Sequence, residues 1–266
     1  YNHDYFGGDL AGIIDTLDYI KELGANTIYM TPVFKAASNH KYDTADYHQI
    51  DPSFGTNADF TRLTQEAAKR GIRIIPDASL NHVGADSRYF DRFGNYSTQD
   101  QGAFANGRIQ ADSPYARWFT LDASQAEPDK QFKGWVGVSD LPELDKASPS
   151  WRKFAYGDKD SVTRSWLRQG AAGWRMDVAP WVPDDFWREW RAAIKAHKPA
   201  ADSSEPPARW KRRWARGEAS SLRAEAANTA YSVALSVAMT TKGSGTRWLS
   251  PKDSNDPEYV VVHETG

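Results

Sequence analysis

The sequence contains no cysteine, which excludes disulfides and thiolate metal sites while leaving the cellular compartment open. It also lacks any apolar run near the eighteen or so residues of a membrane span, the longest clear one being Tyr231 to Met239. Neither sign of charge predominates. Thirty-three Lys and Arg stand against 35 Asp and Glu, a formal net charge of -2, so composition calls for no nucleic-acid or membrane partner. The first residue is Tyr1 rather than methionine, which leaves a removed signal peptide open and localisation unassigned. Aromatic residues, by contrast, are plentiful: 11 Trp, 12 Tyr and 11 Phe among 266 residues. They suit stacking on the apolar faces of sugar rings and suit a large core equally well. A chain of this length can bury a sizeable core as one large α/β domain or two smaller ones.

Helix and strand patterns alternate along the first part of the chain. Asp9 is placed to cap a helix whose Leu10, Ile13, Ile14, Leu17, Ile20 and Leu23 recur at helical spacing, with Gly24 to end it. Thr27 to Thr31 reads as a buried strand stopped by Pro32, and residues 36–55 read as a polar loop. Thr56 or Asn57 caps a second helix carrying Phe60, Leu63 and Ala67 and ended by Gly71; Ile72 to Ile75 then forms a strand running through Pro76 into Asp77. Such alternation with short connections marks βα repeats around a parallel sheet. Residues 83–144 interrupt it with no periodic element but ten aromatics, and read as a small inserted domain. The repeat resumes with a helix over 160–169. Another starts at Pro183-Asp184-Asp185, with Phe186, Trp187, Trp190, Ala193 and Ile194 on its buried face.

Between these two helices lies Gly173-Trp174-Arg175-Met176-Asp177-Val178-Ala179, a short strand closed by Pro180. Alternation across a pleated backbone puts Arg175 and Asp177 on one face and Trp174 and Met176 on the other. An arginine so close keeps an aspartate ionised by lowering its pKa, as a nucleophilic carboxylate requires; the alternative is a structural ion pair at a strand end. Polar chemistry also ends the strand at Asp77, with Asn81-His82 beyond it. In a parallel βα barrel such strand ends open on one face, where catalytic residues sit.

Several stretches together, in order across residues 1 to about 199, resemble the α-amylase family (glycoside hydrolase family 13), nearest its cyclomaltodextrinase, neopullulanase and maltogenic amylase branch. They are Phe6-Gly7-Gly8-Asp9-Leu10, the loop Asn39 to Tyr47, Asp77-Ala78-Ser79-Leu80-Asn81-His82, Leu141-Pro142-Glu143-Leu144-Asp145 and Gly173-Trp174-Arg175-Met176-Asp177. The resemblance implies a retaining glycosidase acting on α-linked glucans such as maltooligosaccharides, cyclodextrins or pullulan. Asp177 would be the nucleophile and Arg175 the residue holding it ionised. His82 and Tyr42 would line the subsite of the sugar being cleaved, and Asp77 and Asn81 would shape it. The Gly7 carbonyl and Asp9 carboxylate could belong to a calcium site, since hard cations take oxygen ligands, or be a turn and a plain helix cap. No organic cofactor is implied, and a homodimer is left open for an intact parent.

The chain departs from the family pattern after Pro199. Residues 201–227 contain no Val, Ile, Phe, Tyr or Thr, so the next parallel strand is missing there. The basic run Arg209 to Arg216, with its two tryptophans, reads as a solvated helix face, a nucleic-acid or membrane-surface patch, or part of a reading-frame-shifted tail. The family's general acid would be Glu205 by spacing or Glu264 by context, since Tyr259 to Val262 reads as a strand; the family's last aspartate has no counterpart. The expectation is an α/β chain forming a partial TIM (β/α)8 barrel with a small inserted domain after the third strand, the second half of the barrel missing. Its parts would be 1–82, the first part of the barrel; 83–144, the insertion; 145–199, the continuation with the nucleophile strand; and 200–266, a divergent tail. A truncated or inactive glycosidase follows, with a transglycosylase or isomerase of the same family, or a non-catalytic carbohydrate-binding protein, as alternatives.

Overall fold

In the computed structural model the described residues are 4–96 and 101–197, together with the backbone of two strands at Leu235–Val237 and Val260–Val262. Helix α1 (Leu10–Glu22) begins where Asp9 Oδ1 accepts the Gly12 amide at 2.7 Å, and it buries Leu10, Ile13, Ile14, Leu17 and Ile20. Leu23 is its C-cap and lies exposed. Strand β1 is Thr27–Met30. Helix α2 (Asn57–Lys69) is capped by Thr56 through a reciprocal capping box with Asp59, which satisfies two amides that the first turn leaves without helical partners.

Residues 36–55 are not the loop that their polarity suggests. β2 (Phe34–Ala36) and β3 (Thr44–Ile50) form an antiparallel hairpin in which Ala45, Asp46, Tyr47 and Ile50 are buried. Hydrogen bonds hide the polarity: Arg88 Nη1 donates to Asp46 Oδ2 at 2.9 Å, and the Tyr47 hydroxyl to the Ser79 carbonyl at 2.6 Å. The strand expected to run through Pro76 is two strands, β4 (Arg73–Ile75) and β5 (Asp77–Ser79). Proline has no amide hydrogen to continue a ladder. β4 pairs in parallel with β1, and β5 in parallel with β6 (Trp174–Asp177), so the chain changes neighbour at the proline.

The β5–β6 register sets Asp77 beside Arg175 and Ser79 beside Asp177. Beyond them, β8 (Val260–Val262) runs parallel to β6 with Val262 beside Met176, while β7 (Leu235–Val237) lies antiparallel to β1. The remaining tail, including Glu205 and Glu264, lies outside the described residues. After a single turn α3 (Pro149–Arg152), helix α4 (Val162–Arg168) packs against β3 and against helix α5 (Asp184–Ala196), burying Trp166, Phe186 and Trp190.

Residues 83–144 contain only short 3-10 turns and isolated bridges, apart from 97–100, which are outside the described residues. The His82–Glu143 bridge ties the end of this segment back to its start. Phe90 packs on Phe104, Phe119 and Phe132 at ring separations of 5.1, 4.9 and 4.7 Å. Trp118 reaches Trp151 at 5.1 Å, and these side chains belong to the same buried apolar cluster as α1, α2 and the strands.

Candidate active site

Strand alternation and parallel register converge on one guanidinium. Arg175 Nη1 donates to Asp177 Oδ1 at 2.9 Å, to both oxygens of Asp77 at 3.1 and 2.8 Å, and to the Tyr42 hydroxyl oxygen at 3.2 Å. The Tyr29 and Tyr42 hydroxyls donate to Asp77 Oδ2 at 2.8 and 3.0 Å. Five of the residues singled out in the sequence therefore stand in one region: Arg175, Asp177, Asp77 and Tyr42 in a single network, with His82 three residues beyond Ser79, the register partner of Asp177.

The two carboxylates differ in access. The Asp77 side chain is 0% exposed and enclosed by its donors, whereas that of Asp177 is 16% exposed. Burial pushes the Asp77 carboxyl up to about 6, against the opposing pull of Arg175 and the Tyr29 hydroxyl. A raised carboxyl pKa in a site suggests a general acid. Enclosure argues otherwise: with its side chain fully buried, Asp77 is closed off from a substrate and is hydrogen-bonded instead to Arg175 and Tyr42. Arg175 stays charged: burial is the largest single influence and works against its charge, but Asp77, Tyr42, Tyr29 and Asp177 together outweigh it and hold its pKa above the ordinary value.

Tyr42 sits on a loop stapled from below. The neighbouring Lys41 is 1% exposed and its ammonium donates to Asp51 Oδ2 at 2.7 Å, the Tyr5 hydroxyl at 2.8 Å and the Ala36 carbonyl at 3.1 Å. Lys41 also has a left-handed backbone (φ 64°), an uncommon conformation for a residue with a side chain that this buried triple anchor holds in place. His40 stacks beside Tyr42 at 6.1 Å.

His82 is buried, and its Nε2 has no hydrogen-bond partner among the described residues. Burial, reinforced by the Lys146 charge, lowers its pKa to about 4, so the ring is neutral near pH 7. Trp135 stacks on it at 5.0 Å, and Trp181, 56% exposed, meets Trp135 edge-on at 6.3 Å. Trp181 arrives there because Val178, directly after Asp177, takes a left-handed conformation (φ 45°) and throws the chain into a 3-10 turn, Ala179–Trp181. A β-branched residue pays for that conformation in strain, which is concentrated here beside the carboxylate. An open cleft of about 540 Å³ runs alongside, lined by Phe132, Lys133, Val136, Glu143 and Trp181 among others.

Asn81 joins a second network: its Oδ1 accepts from Lys146 Nζ at 2.9 Å, and Lys146 also donates to Glu143 Oε1 at 2.7 Å. Tyr29, Lys146, Trp135 and Trp181 were not singled out in the sequence. Tyr29 had a signal, a phenol on a short strand, and its hydroxyl reaches Asp77 of the neighbouring sheet; the others depend on how the chain folds back over 83–144. Gly7 and Asp9 stand at the start of α1, where Asp9 Oδ1 serves as the cap.

A carboxylate with partial access at the end of a parallel strand, hydrogen-bonded by an arginine, is an arrangement that can attack a substrate carbon. The family described as alpha amylase, catalytic domain, matches residues 2–217, and the chain belongs to it. It is 42% identical over 215 residues to an amylopullulanase of Thermoanaerobacterium saccharolyticum, covering 76% of this chain and 16% of that one. It is 41% identical over 198 residues to a cyclomaltodextrinase of Geobacillus thermopakistaniensis, 73% of this chain and 31% of that one. The solved cyclic α-maltosyl-(1→6)-maltose hydrolase of Arthrobacter globiformis superposes with a TM-score of 0.62 at 39% identity, over 73% of this chain and 41% of that chain. The chain thus spans less than half the length of each of these proteins.

Proposed function

We propose that this chain carries the nucleophile half of a retaining glycosidase site for α-linked glucans, built on part of a (β/α)8 barrel. The observation that carries the reading is the contrast around Arg175: one guanidinium holds an enclosed anchor, Asp77, and a partly open carboxylate, Asp177. In the proposed reaction the Asp177 carboxylate attacks the anomeric carbon, the glycosidic C–O bond breaks and the leaving oxygen takes a proton from an acid. Water, giving its proton to the same residue, then displaces Asp177. Tyr42 and His82 hold the attacked sugar, and the Trp135–Trp181 rim with its cleft takes the sugars beyond it.

Retention needs a second carboxyl about 5–5.5 Å from the first. Asp77 is enclosed, and no other carboxylate shares the Arg175 network among the described residues. The register of β8 against β6 supports Glu264, two residues past Val262, over Glu205. Both lie outside the described residues. Residues 201–227 hold no Val, Ile, Phe, Tyr or Thr to build the next strand, and the family's last aspartate has no counterpart in the sequence, so residues 1–266 are expected to bind maltooligosaccharides and release no reducing sugar. For calcium, Gly7 and Asp9 offer two of the six to eight oxygens such an ion takes, and no group of three or more His, Asp or Glu suited to a metal occurs among the described residues. These two residues do not form a calcium site by themselves, and no step is routed through a metal. No helix among the described residues is long and apolar enough to cross a membrane.

The test is to assay residues 1–266 on starch, cyclodextrin and pullulan and to titrate maltotriose by calorimetry. Binding lost in Tyr42→Ala and His82→Gln supports the reading. Clear turnover removed by Glu264→Gln would overturn the expected inactivity and identify the acid. Binding unaffected by Asp177, Tyr42 or His82 substitutions would instead place the sugar elsewhere, as in a non-catalytic binding protein.

A further inference from the structure

Lys146 is a buried cation to which the proposed reaction assigns no part. It is 7% exposed, and its ammonium donates to Asn81 Oδ1 at 2.9 Å and Glu143 Oε1 at 2.7 Å. Glu143 is held below the usual range because Lys146 and Lys133 outweigh its burial, so the partner is a carboxylate. On the other side of Asn81, Nδ2 stands 3.3 Å from His82 Nδ1, and Ser79 Oγ is 3.5 Å from the same nitrogen.

We propose that Lys146 is a positioning residue which, through Asn81, fixes the proton of neutral His82 on Nε2. The chain of reasoning uses only donor and acceptor inventories. An ammonium has no lone pair, so the atom of Asn81 that faces it is the amide oxygen. That choice turns the NH2 group toward His82. An amide NH2 only donates, so Nδ1 must accept and carries no proton. A neutral imidazole then has its single proton on Nε2, the atom that is buried with no partner among the described residues. A donor left unpaired in a buried site calls for a ligand acceptor. The Ser79 hydroxyl rotates to suit and does not decide the matter. Trp135, stacked 24° from the imidazole plane, keeps the ring from turning over. Without Lys146, the Asn81 amide is free to flip, to accept from Nδ1–H and to leave Nε2 an acceptor.

The consequence for catalysis rests on the glycosidase reading: His82 Nε2–H is presented as a donor to a hydroxyl of the attacked sugar. The protonation pattern itself does not. Residues 1–266 labelled with 15N-histidine, with His82 assigned through His82→Gln, report the tautomer from long-range proton–nitrogen spectra at pH 7. The wild-type ring is expected as the Nε2–H form. Lys146→Arg, which keeps a buried donor, should retain it. Lys146→Met should raise the Nδ1–H population at least about tenfold. Asn81→Asp leaves Lys146 a partner, which protects the fold, but faces Nδ1 with an acceptor, so the ring should become Nδ1–H or doubly protonated. Nδ1–H in the wild-type chain overturns the proposal without any variant, and so does an unchanged Nε2–H ring in Lys146→Met or Asn81→Asp. Maltotriose added to the same samples tests the other reading: a tautomer that responds to Lys146 with no sugar-induced shift at Nε2 would support the role of Lys146 and count against the sugar site.

Discussion

The strand ends and the segment over 83–144 hold their side chains by opposite means. At the strand ends a parallel ladder sets Asp77 beside Arg175 and Ser79 beside Asp177, and one guanidinium meets four acceptor atoms on three residues. In 83–144 isolated bridges replace the ladder, and the shape rests on aromatic contacts such as Phe90 with Phe104, Phe119 and Phe132. The groups proposed to react thus stand on regular backbone, and the walls of the cleft stand on packing. Substitutions in the two regions should separate chemistry from stability.

The largest effect is expected at Asp177. In a form of the protein that turns over, Asp177→Asn should lower kcat by at least about a thousandfold, about 4 kcal/mol, because an amide cannot attack the sugar carbon. The isosteric side chain leaves a hydrogen bond to Arg175, so the melting temperature should stay nearly unchanged. Retention of more than a few per cent of turnover would remove Asp177 from the nucleophile role. The mirror case is Phe90→Ala, where a ring that is 0% exposed leaves a cavity. About 4 kcal/mol of stability should go, seen as a fall in Tm of about 10 °C. A loss below about 1 kcal/mol would mean that the segment does not depend on that cluster.

The same division explains what the sequence reveals. Helical spacing located α1, α2 and α5, and the capping residues of α1 and α2 were legible too, because periodicity and capping are local. Strand alternation likewise put Arg175 and Asp177 on one face. The β2–β3 hairpin escaped because the Asp46 carboxylate is buried against distant Arg88 and the Thr44 carbonyl accepts from distant Gly84, so its composition imitates a loop. Pro76 hid a change of strand partner, which depends on neighbours almost a hundred residues away. Lys146 and Trp135 acquire meaning only when 83–144 folds back on His82, and no local pattern marks them.

An intermediate effect should appear in the pH dependence of stability, with opposite signs at two buried groups. The folded Asp77 keeps its proton up to about 6 against an ordinary value of 3.8, so between those values the native state binds the extra proton. Stability therefore falls as pH rises through that window. Folded His82 refuses a proton down to about 4 while the unfolded ring takes one below 6.5, so the unfolded state binds more. Stability from this group falls as pH drops. Each slope approaches about 1.4 kcal/mol per pH unit, and near pH 5 the two should nearly cancel. Asp77→Asn should expose the His82 slope, with stability rising by about 3 kcal/mol from pH 4 to 6.5, and His82→Gln should expose the reverse. Denaturant midpoints across pH 4–7 decide it: variant curves parallel to the wild type would show that neither group is buried as described.

The smallest effect, and the one that joins the two regions, is expected at Trp181. It follows β6 closely in sequence, yet the left-handed turn at Val178 carries it out to meet Trp135 of the other region. Its ring is 56% exposed, so removing it opens no cavity, and Trp181→Ala should alter stability by less than about 0.5 kcal/mol. A ring face available to an apolar sugar face contributes on the order of 1.4 kcal/mol, so maltotetraose should bind about tenfold more weakly. Maltose, two sugars shorter, should reach the outer cleft less and lose less. Equal losses for the two ligands would mean that Trp181 shapes the inner pocket rather than the outer cleft, and no loss for either would leave the cleft without a role in binding. If stability fell instead, Trp181 would be a packing residue, and the separation between strand-end chemistry and aromatic walls would fail at the point where they touch.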